Sequence, residues 1–149
     1  MDKLPVQNEQ GIKSTRVSFL GYNVQNINFQ LNPGFVPSGS VDIEFTVNVG
    51  VETNLNERKI VVMLEASVFN DATKKNYPFS VSVKLNGVFE VDRETTEDEL
   101  RQIGEINGTA ALFPFLRSTL AGICQQANQP AVMLPLVNVY NMIEQQKRS

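Results

Sequence analysis

The chain has no histidine, no tryptophan and a single cysteine, Cys124, among its 149 residues. Without imidazole, the commonest general base near neutral pH and the usual activator of serine and cysteine nucleophiles is missing. A lone thiol forms no internal disulfide, and a metal site would have to be built from carboxylates alone. Carboxylate or lysine chemistry stays open, but the chain has no Gly-rich phosphate loop, no nucleophile elbow and no EF-hand spacing. No run is long and apolar enough to cross a bilayer, and the start Met1-Asp2-Lys3-Leu4-Pro5 lacks the cationic-then-apolar order of a secretory signal. The expectation is a cytoplasmic, non-enzymatic protein with no metal and no cofactor.

Charge is also scarce. Apolar residues make up 42% and charged residues 19%, with a net charge of -3 and a pI near 5.0. That is an ordinary globular composition without the basic field that attracts a phosphate backbone, so nucleic acid is not expected as a partner. The length suits one domain with a real core. Residues 1–14 are polar and aperiodic and are expected to form a flexible arm, with one domain over 15–149.

What the chain does have is alternation. From Arg16 to Leu31 the apolar residues change face twice: Val17 and Phe19, then Leu20, Tyr22 and Val24, then Ile27, Phe29 and Leu31. Such flips suggest a bulged or two-faced strand with Gly21 as the relief point. The stretch Asn32-Pro33-Gly34-Phe35-Val36-Pro37-Ser38-Gly39 is a loop by its chemistry. A second strand alternates cleanly through Val41, Ile43, Phe45, Val47, Val49 and Val51. A third carries Ile60, Val62, Leu64, Ala66 and Val68, and a fourth runs from Phe79 through Leu85 toward Phe89 and Val91. Short connections favour antiparallel neighbours, and the economical arrangement is a four-stranded meander.

The chemistry then changes. Glu90, Asp92, Glu94, Glu97, Asp98, Glu99 and Glu105 are opposed only by Arg93 and Arg101 in that stretch. Thr96-Glu97-Asp98-Glu99 reads as a capping box opening a short helix to about Ile103. Between Ile106 and Ile143 the only charged side chain is Arg117, and Leu112, Leu116, Leu120 and Ile123 recur at helical spacing, with Pro114 tolerable in a first turn. Asn128-Gln129-Pro130 ends that helix, Ala131–Leu136 runs extended, and Asn138 caps a last helix carrying Val139, Met142 and Ile143. Four strands followed by helices make the fold class α+β. The apolar surface exceeds what one row of helices covers, which implies self-assembly or a ligand groove.

Three segments resemble one family. Leu112-Phe113-Pro114-Phe115-Leu116-Arg117, then Pro130, then Leu134-Pro135-Leu136-Val137-Asn138 resemble the C-terminal half of the bacterial export chaperones of the SecB family. Tyr22 through Phe29 is similar to that family's first strand, and Gly87-Val88-Phe89 to its fourth. The resemblance implies a four-stranded antiparallel sheet with a long helix at the protomer interface, a homotetramer built as a dimer of dimers, and no use of ATP. It also implies that unfolded or preprotein polypeptides lie in apolar grooves floored by the sheet and walled by a crossover loop and the last helix. Carried onto this chain, the client-binding set is Phe35, Val36, Val41, Ile43, Phe45, Leu134, Leu136, Val139 and Met142. The oligomer set is Leu112, Phe113, Leu116, Arg117, Leu120 and Ile123, with Arg117 expected to pair across protomers and Cys124 to be a buried apolar side chain.

Two departures bear on export. SecB proteins that hand clients to the SecA motor resemble one another in acidic side chains on the outer sheet face; the matching positions here are Asn26, Gln30 and Ser82. The acidic C-terminal extension is replaced by Gln145-Gln146-Lys147-Arg148-Ser149. An ATP-independent holdase, possible delivery to SecA and the Sec translocase included, is therefore set beside a dedicated chaperone of one partner such as the antitoxin of a toxin–antitoxin pair. A hot-dog-type acyl-thioester enzyme or small-ligand binder, and a purely structural subunit, are the remaining readings.

Overall fold

Two β-bulges reconcile the face changes of the first long strand. The computed structural model describes residues 3–8, 11–135 and 138–148, with main chain alone for 3–15. Strand β2 (Gly11–Leu31) pairs antiparallel with β5 (Phe79–Val91), and the register shifts between Phe19 and Gly21 and again between Val24 and Asn26. Directly opposed residues of an antiparallel pair share a face. Val17, Phe19, Tyr22, Val24, Ile27, Phe29 and Leu31 lie opposite Val91, Phe89, Gly87, Leu85, Val83, Val81 and Phe79. Each bulge inserts one residue and returns the row to one side. Gly21, at φ 137°, occupies backbone space that a side chain disfavours.

Strands β3 (Phe45–Asn54) and β4 (Lys59–Val68) complete the four long strands, and β1 (Lys3–Asn8) adds a fifth beside the start of β2. The expected loose arm is corrected here, because Lys3–Asn8 pair with Gly11–Arg16. Strand pairing needs main-chain partners rather than an apolar pattern, so polar composition did not forbid it. The order is β1-β2-β5-β4-β3, not a meander. Residues 32–44 cross the ends of β5 and β4 to reach the far edge, and β3-β4-β5 then follow as hairpin neighbours. Val41 and Ile43 precede β3, although they continue its alternation. Past Val68 the neighbouring strand turns away at Phe69, φ 58°, so residues 41–43 have no strand to pair with.

One face of the sheet carries the core. On β4, Ile60, Val62, Leu64, Ala66 and Val68 are fully buried, as is Leu85 on β5. Helix α1 (Ala72–Lys75) is one turn in the β4–β5 connection. After β5, α2 (Glu97–Ile103), a π turn (Gly104–Gly108) and α3 (Thr109–Gln126) run on without a break. Thr96 caps α2 by accepting from the Glu99 N–H at 3.2 Å, while the Glu99 carboxylate turns to Thr95 and Arg93.

The short helix expected to end near Ile103 instead runs on into the next, and two glycines in the join bring the continuous helix close to the sheet. A Cβ on Gly104 would stand 2.7 Å from Ile60 and 2.8 Å from Val51, and one on Gly108 only 2.6 Å from Val62. Pro114 is therefore well inside the helical run rather than in its first turn. It sits on the exposed side with Ala110, where the i−4 carbonyl that loses its donor faces solvent. Leu100, Leu112, Phe113, Leu116, Leu120 and Cys124 pack inward, and α4 (Val139–Arg148) lies beyond β3 with Ile143 buried.

Candidate functional site

The crossover residues 32–44 contain no regular structure, so their polar groups must be met from outside. Asn32 is buried, and its side-chain amide donates to the carbonyls of Tyr77 at 2.9 Å and Ala72 at 3.2 Å. The Asn76 carboxamide both accepts from the Val36 N–H and donates to the Val36 carbonyl, each at 2.9 Å. At the far end Lys75 Nζ reaches Glu44 at 3.0 Å and the Tyr77 hydroxyl donates to the same carboxylate at 2.9 Å. The Lys75 ammonium first, and then the Tyr77 hydroxyl, hold the Glu44 carboxyl below the usual range, and Glu44 in turn raises both partners. Three clamps thus fix an irregular loop against the β4–β5 connection.

Between that loop and residues 129–132 lies an apolar cavity of about 580 Å3, into which Leu31, Phe35, Val41, Ile43, Phe69 and Phe79 face. Its floor is aromatic: Phe69 meets Phe79 edge-on at 5.4 Å, and Phe29 stacks on Phe79 at 5.2 Å. A second cleft of about 640 Å3 separates the β3 edge from α4, with Phe45 and Val47 on one side and Asn138, Asn141 and Met142 on the other. A third hollow of about 670 Å3 runs over the outer side of α3, past Pro114, Arg117, Ser118, Ala121 and Gly122.

The client-binding set expected from the sequence is divided among these places. Phe35, Val41 and Ile43 line the first cavity, and Phe45 and Met142 the second. Val36 is 65% exposed at the loop, and Val139 is half-buried at the start of α4 without lining either cleft. Leu134 is fully buried core and unavailable to a ligand, because Arg117 Nε donates to its carbonyl at 2.8 Å and draws the segment onto α3. Leu136 lies outside the described residues. Sequence reasoning missed Leu31, Phe69 and Val132. The available signal was Phe69, which breaks the β4 alternation directly after Val68.

The oligomer set is corrected more sharply. Leu112, Phe113, Leu116 and Leu120 are 0–5% exposed within the chain itself, and Ile123 packs against the same core. They face the chain's own sheet, since an apolar row at helical spacing is equally suited to that. Arg117 Nε donates within the chain, to the Leu134 carbonyl at 2.8 Å. A row of apolar residues is left uncovered along β2: Tyr22, Val24, Ile27 and Leu31 are 38–56% exposed on the helix side of the sheet. Phe115 reaches this row, with its ring 4.6 Å from Tyr22. Asn26 and Ser82 lie on the opposite, outer face, in rows with Lys84 and Asn28, and Gln30 is there beside Ser80.

Comparison with known proteins agrees with this arrangement. Residues 25–149 match the family model described as preprotein translocase subunit SecB. An uncharacterised protein of Methanocaldococcus jannaschii is 35% identical over 130 residues, covering 85% of this chain and 82% of that one. The protein-export protein SecB of Wolbachia pipientis wMel is 30% identical over 112 residues, covering 72% of this chain and 67% of its own. Among solved structures, the Mycobacterium tuberculosis SecB-like chaperone Rv1957, in complex with a ChAD peptide from the HigA1 antitoxin, superposes with a TM-score of 0.69. It does so at 16% identity, over 83% of this chain and 91% of its own. By the family match across residues 25–149 and by these relatives, the chain belongs to the SecB family.

Proposed function

We propose that the chain is an ATP-independent holdase of the cytoplasm that keeps non-native polypeptide segments in the cavity beneath its crossover loop and in the cleft beside β3. The observation that carries this reading is the first cavity: aromatic-floored, open, and walled by a loop that three polar clamps hold in place. A preformed apolar pocket binds without the cost of ordering its own wall, and apolar burial at roughly 25 cal/mol per Å2 requires no particular sequence. Holding needs no reaction, which accords with the family's chaperone character and a non-enzymatic role. The exposed β2 row and the small-residue outer side of α3 are proposed as the surfaces through which protomers assemble into a dimer of dimers. Delivery to SecA is the less supported part, because the outer sheet face bears Asn26, Gln30 and Ser82 where the SecA-engaging members resemble one another in acids.

The test is suppression of aggregation of a reduced, unfolded model protein at stoichiometric ratio. Protection is expected, and the Phe35→Ala/Ile43→Ala double variant should lose it; aggregation at the unprotected rate with the wild-type chain would refute the reading. A second reading, a chaperone dedicated to one partner, is favoured by the structural neighbour solved with an antitoxin peptide. Mass spectrometry of material co-purified from native lysate separates the two: many chains support the general holdase, and one support the dedicated chaperone.

A further inference from the structure

β3 is the edge of the sheet, and its outward main-chain groups belong to alternate residues. At Val49 both groups are taken by one side chain. The Val49 N–H donates to Gln146 Oε1 at 2.8 Å, and Gln146 Nε2 donates to the Val49 carbonyl at 2.7 Å. A carboxamide placed this way offers one acceptor and one donor, as a facing residue of an added strand would. Two residues on, the Val51 carbonyl accepts from Arg101 Nη1 at 3.0 Å. Two residues back, Val47 and Phe45 turn the same groups into the 640 Å3 cleft, and among the described residues neither has a partner there. The edge is thus closed at one end and open at the other.

Gln146 sits on α4, which is otherwise held at this end by buried Ile143 and by the Lys147–Glu105 ion pair at 3.0 Å. We propose that the Gln146 carboxamide is a self-ligand of the β3 edge, a latch that an extended client segment displaces when it adds to β3 from Phe45 toward Val49. This inference rests on the polypeptide-holding reading and specifies how a segment enters. Exchanging one amide for another leaves the hydrogen bonding of Val49 unchanged. The gain comes from new pairing at Phe45 and Val47 and from side chains buried against Phe45, Val47 and Met142. The occupant is defined by its chemistry: an extended segment with free amide N–H groups at alternate positions, and no required side-chain sequence.

The experiment uses the full chain and a fluorescein-labelled octapeptide of alternating valine and threonine, with an analogue N-methylated at alternate residues. Fluorescence anisotropy is expected to give about tenfold tighter binding of the plain peptide to Gln146→Ala than to wild type. Gln146→Glu, which keeps the acceptor and loses the donor, should fall between them. N-methylation on the strand-pairing edge should abolish the gain. If wild type binds the peptide but neither the variants nor N-methylation change the affinity, the latch is wrong and polypeptide holding stands. If neither wild type nor Gln146→Ala binds, both fall. Light scattering gives the remaining outcome: a doubled mass of Gln146→Ala without tighter peptide binding would assign the edge to a second copy of the chain and overturn the proposal.

Discussion

Strands β4 and β2 carry the same kind of apolar row on the same side of one sheet and meet opposite fates. Ile60, Val62, Leu64, Ala66 and Val68 on β4 are fully buried, whereas Tyr22, Val24, Ile27 and Leu31 on β2 are 38–56% exposed. The difference is cover. Helix α3 lies over β4 and β5 through Leu112, Leu116 and Leu120, and reaches β2 chiefly through Phe115. Alternation in a sequence reports which way side chains point; it is silent on whether another element, or another copy of the chain, lies above them.

The largest expected effect breaks that comparison directly. Leu64→Ala should cost ~2–5 kcal/mol, because a fully enclosed side chain leaves a cavity. Ile27→Ala, at 48% exposure, should cost within about 1 kcal/mol in the isolated protomer. Denaturant midpoints at low and high protein concentration measure both. A cost at Ile27 that grows with concentration would mark β2 as the face covered by a second protomer; a cost equal to that of Leu64 at every concentration would contradict the exposure of the β2 row.

The two sides of α3 and the π turn before it give a second, smaller contrast with the same substitution. Gly108→Ala pushes a methyl to 2.6 Å from Val62, and such overpacking should destabilise by ~1–3 kcal/mol. Gly122→Ala meets nothing within 4 Å on the outer side of the helix and should be neutral or stabilising by up to about 1 kcal/mol in the protomer. Thermal unfolding of the two variants reads the difference. If Gly122→Ala also lowers the mass measured by light scattering, the outer side of α3 is packed against another protomer that needs the glycine.

These contrasts explain what could be read beforehand. The rows on β4 and β5, the Thr96 cap and the bulged character of β2 were legible because each follows from local periodicity or local hydrogen bonding. Strand order was not, since nothing in a 13-residue connection between Leu31 and Phe45 states which strand it passes. The end expected near Ile103 was not a helix end, because the sequence does not show that Gly104 and Gly108 let the helix approach Ile60, Val51 and Val62 closely enough to outweigh glycine's low helix propensity. The same ambiguity misplaced Leu112, Phe113, Leu116 and Leu120, whose spacing suits a partner's surface as well as the chain's own sheet. Of the groove, Phe35 in its loop and Val41 and Ile43 in the alternating run before Phe45 were reached through the family resemblance. The polar clamps that position them, Asn32, Asn76 and Glu44, were missed because amide and carboxylate side chains in loops are common and carry no period.

The smallest expected effect concerns one of those clamps and separates the fixed cavity at the crossover loop from the latched cleft at β3. Glu44 is held below the usual carboxylate range by Lys75 and Tyr77, so its clamp is fully present above the unfolded-state value, about pH 4.3, and is lost as pH falls through the lower folded value. Tyr77 is raised, so its hydroxyl remains a donor well into the alkaline range. The Phe69 N–H, which donates to the Glu44 carbonyl at 2.9 Å, is the local reporter. Its hydrogen-exchange protection, corrected for the intrinsic pH dependence of exchange, should be level from neutral pH down to about 4.3 and fall below it. Glu44→Gln should remove that step. The N–H of Val49, held by the uncharged Gln146 amide, should show no such step. A parallel fall at Val49 would mean that acid loosens the whole sheet edge rather than the Glu44 clamp, and would remove the distinction between a wall fixed by charge and an edge closed by an amide.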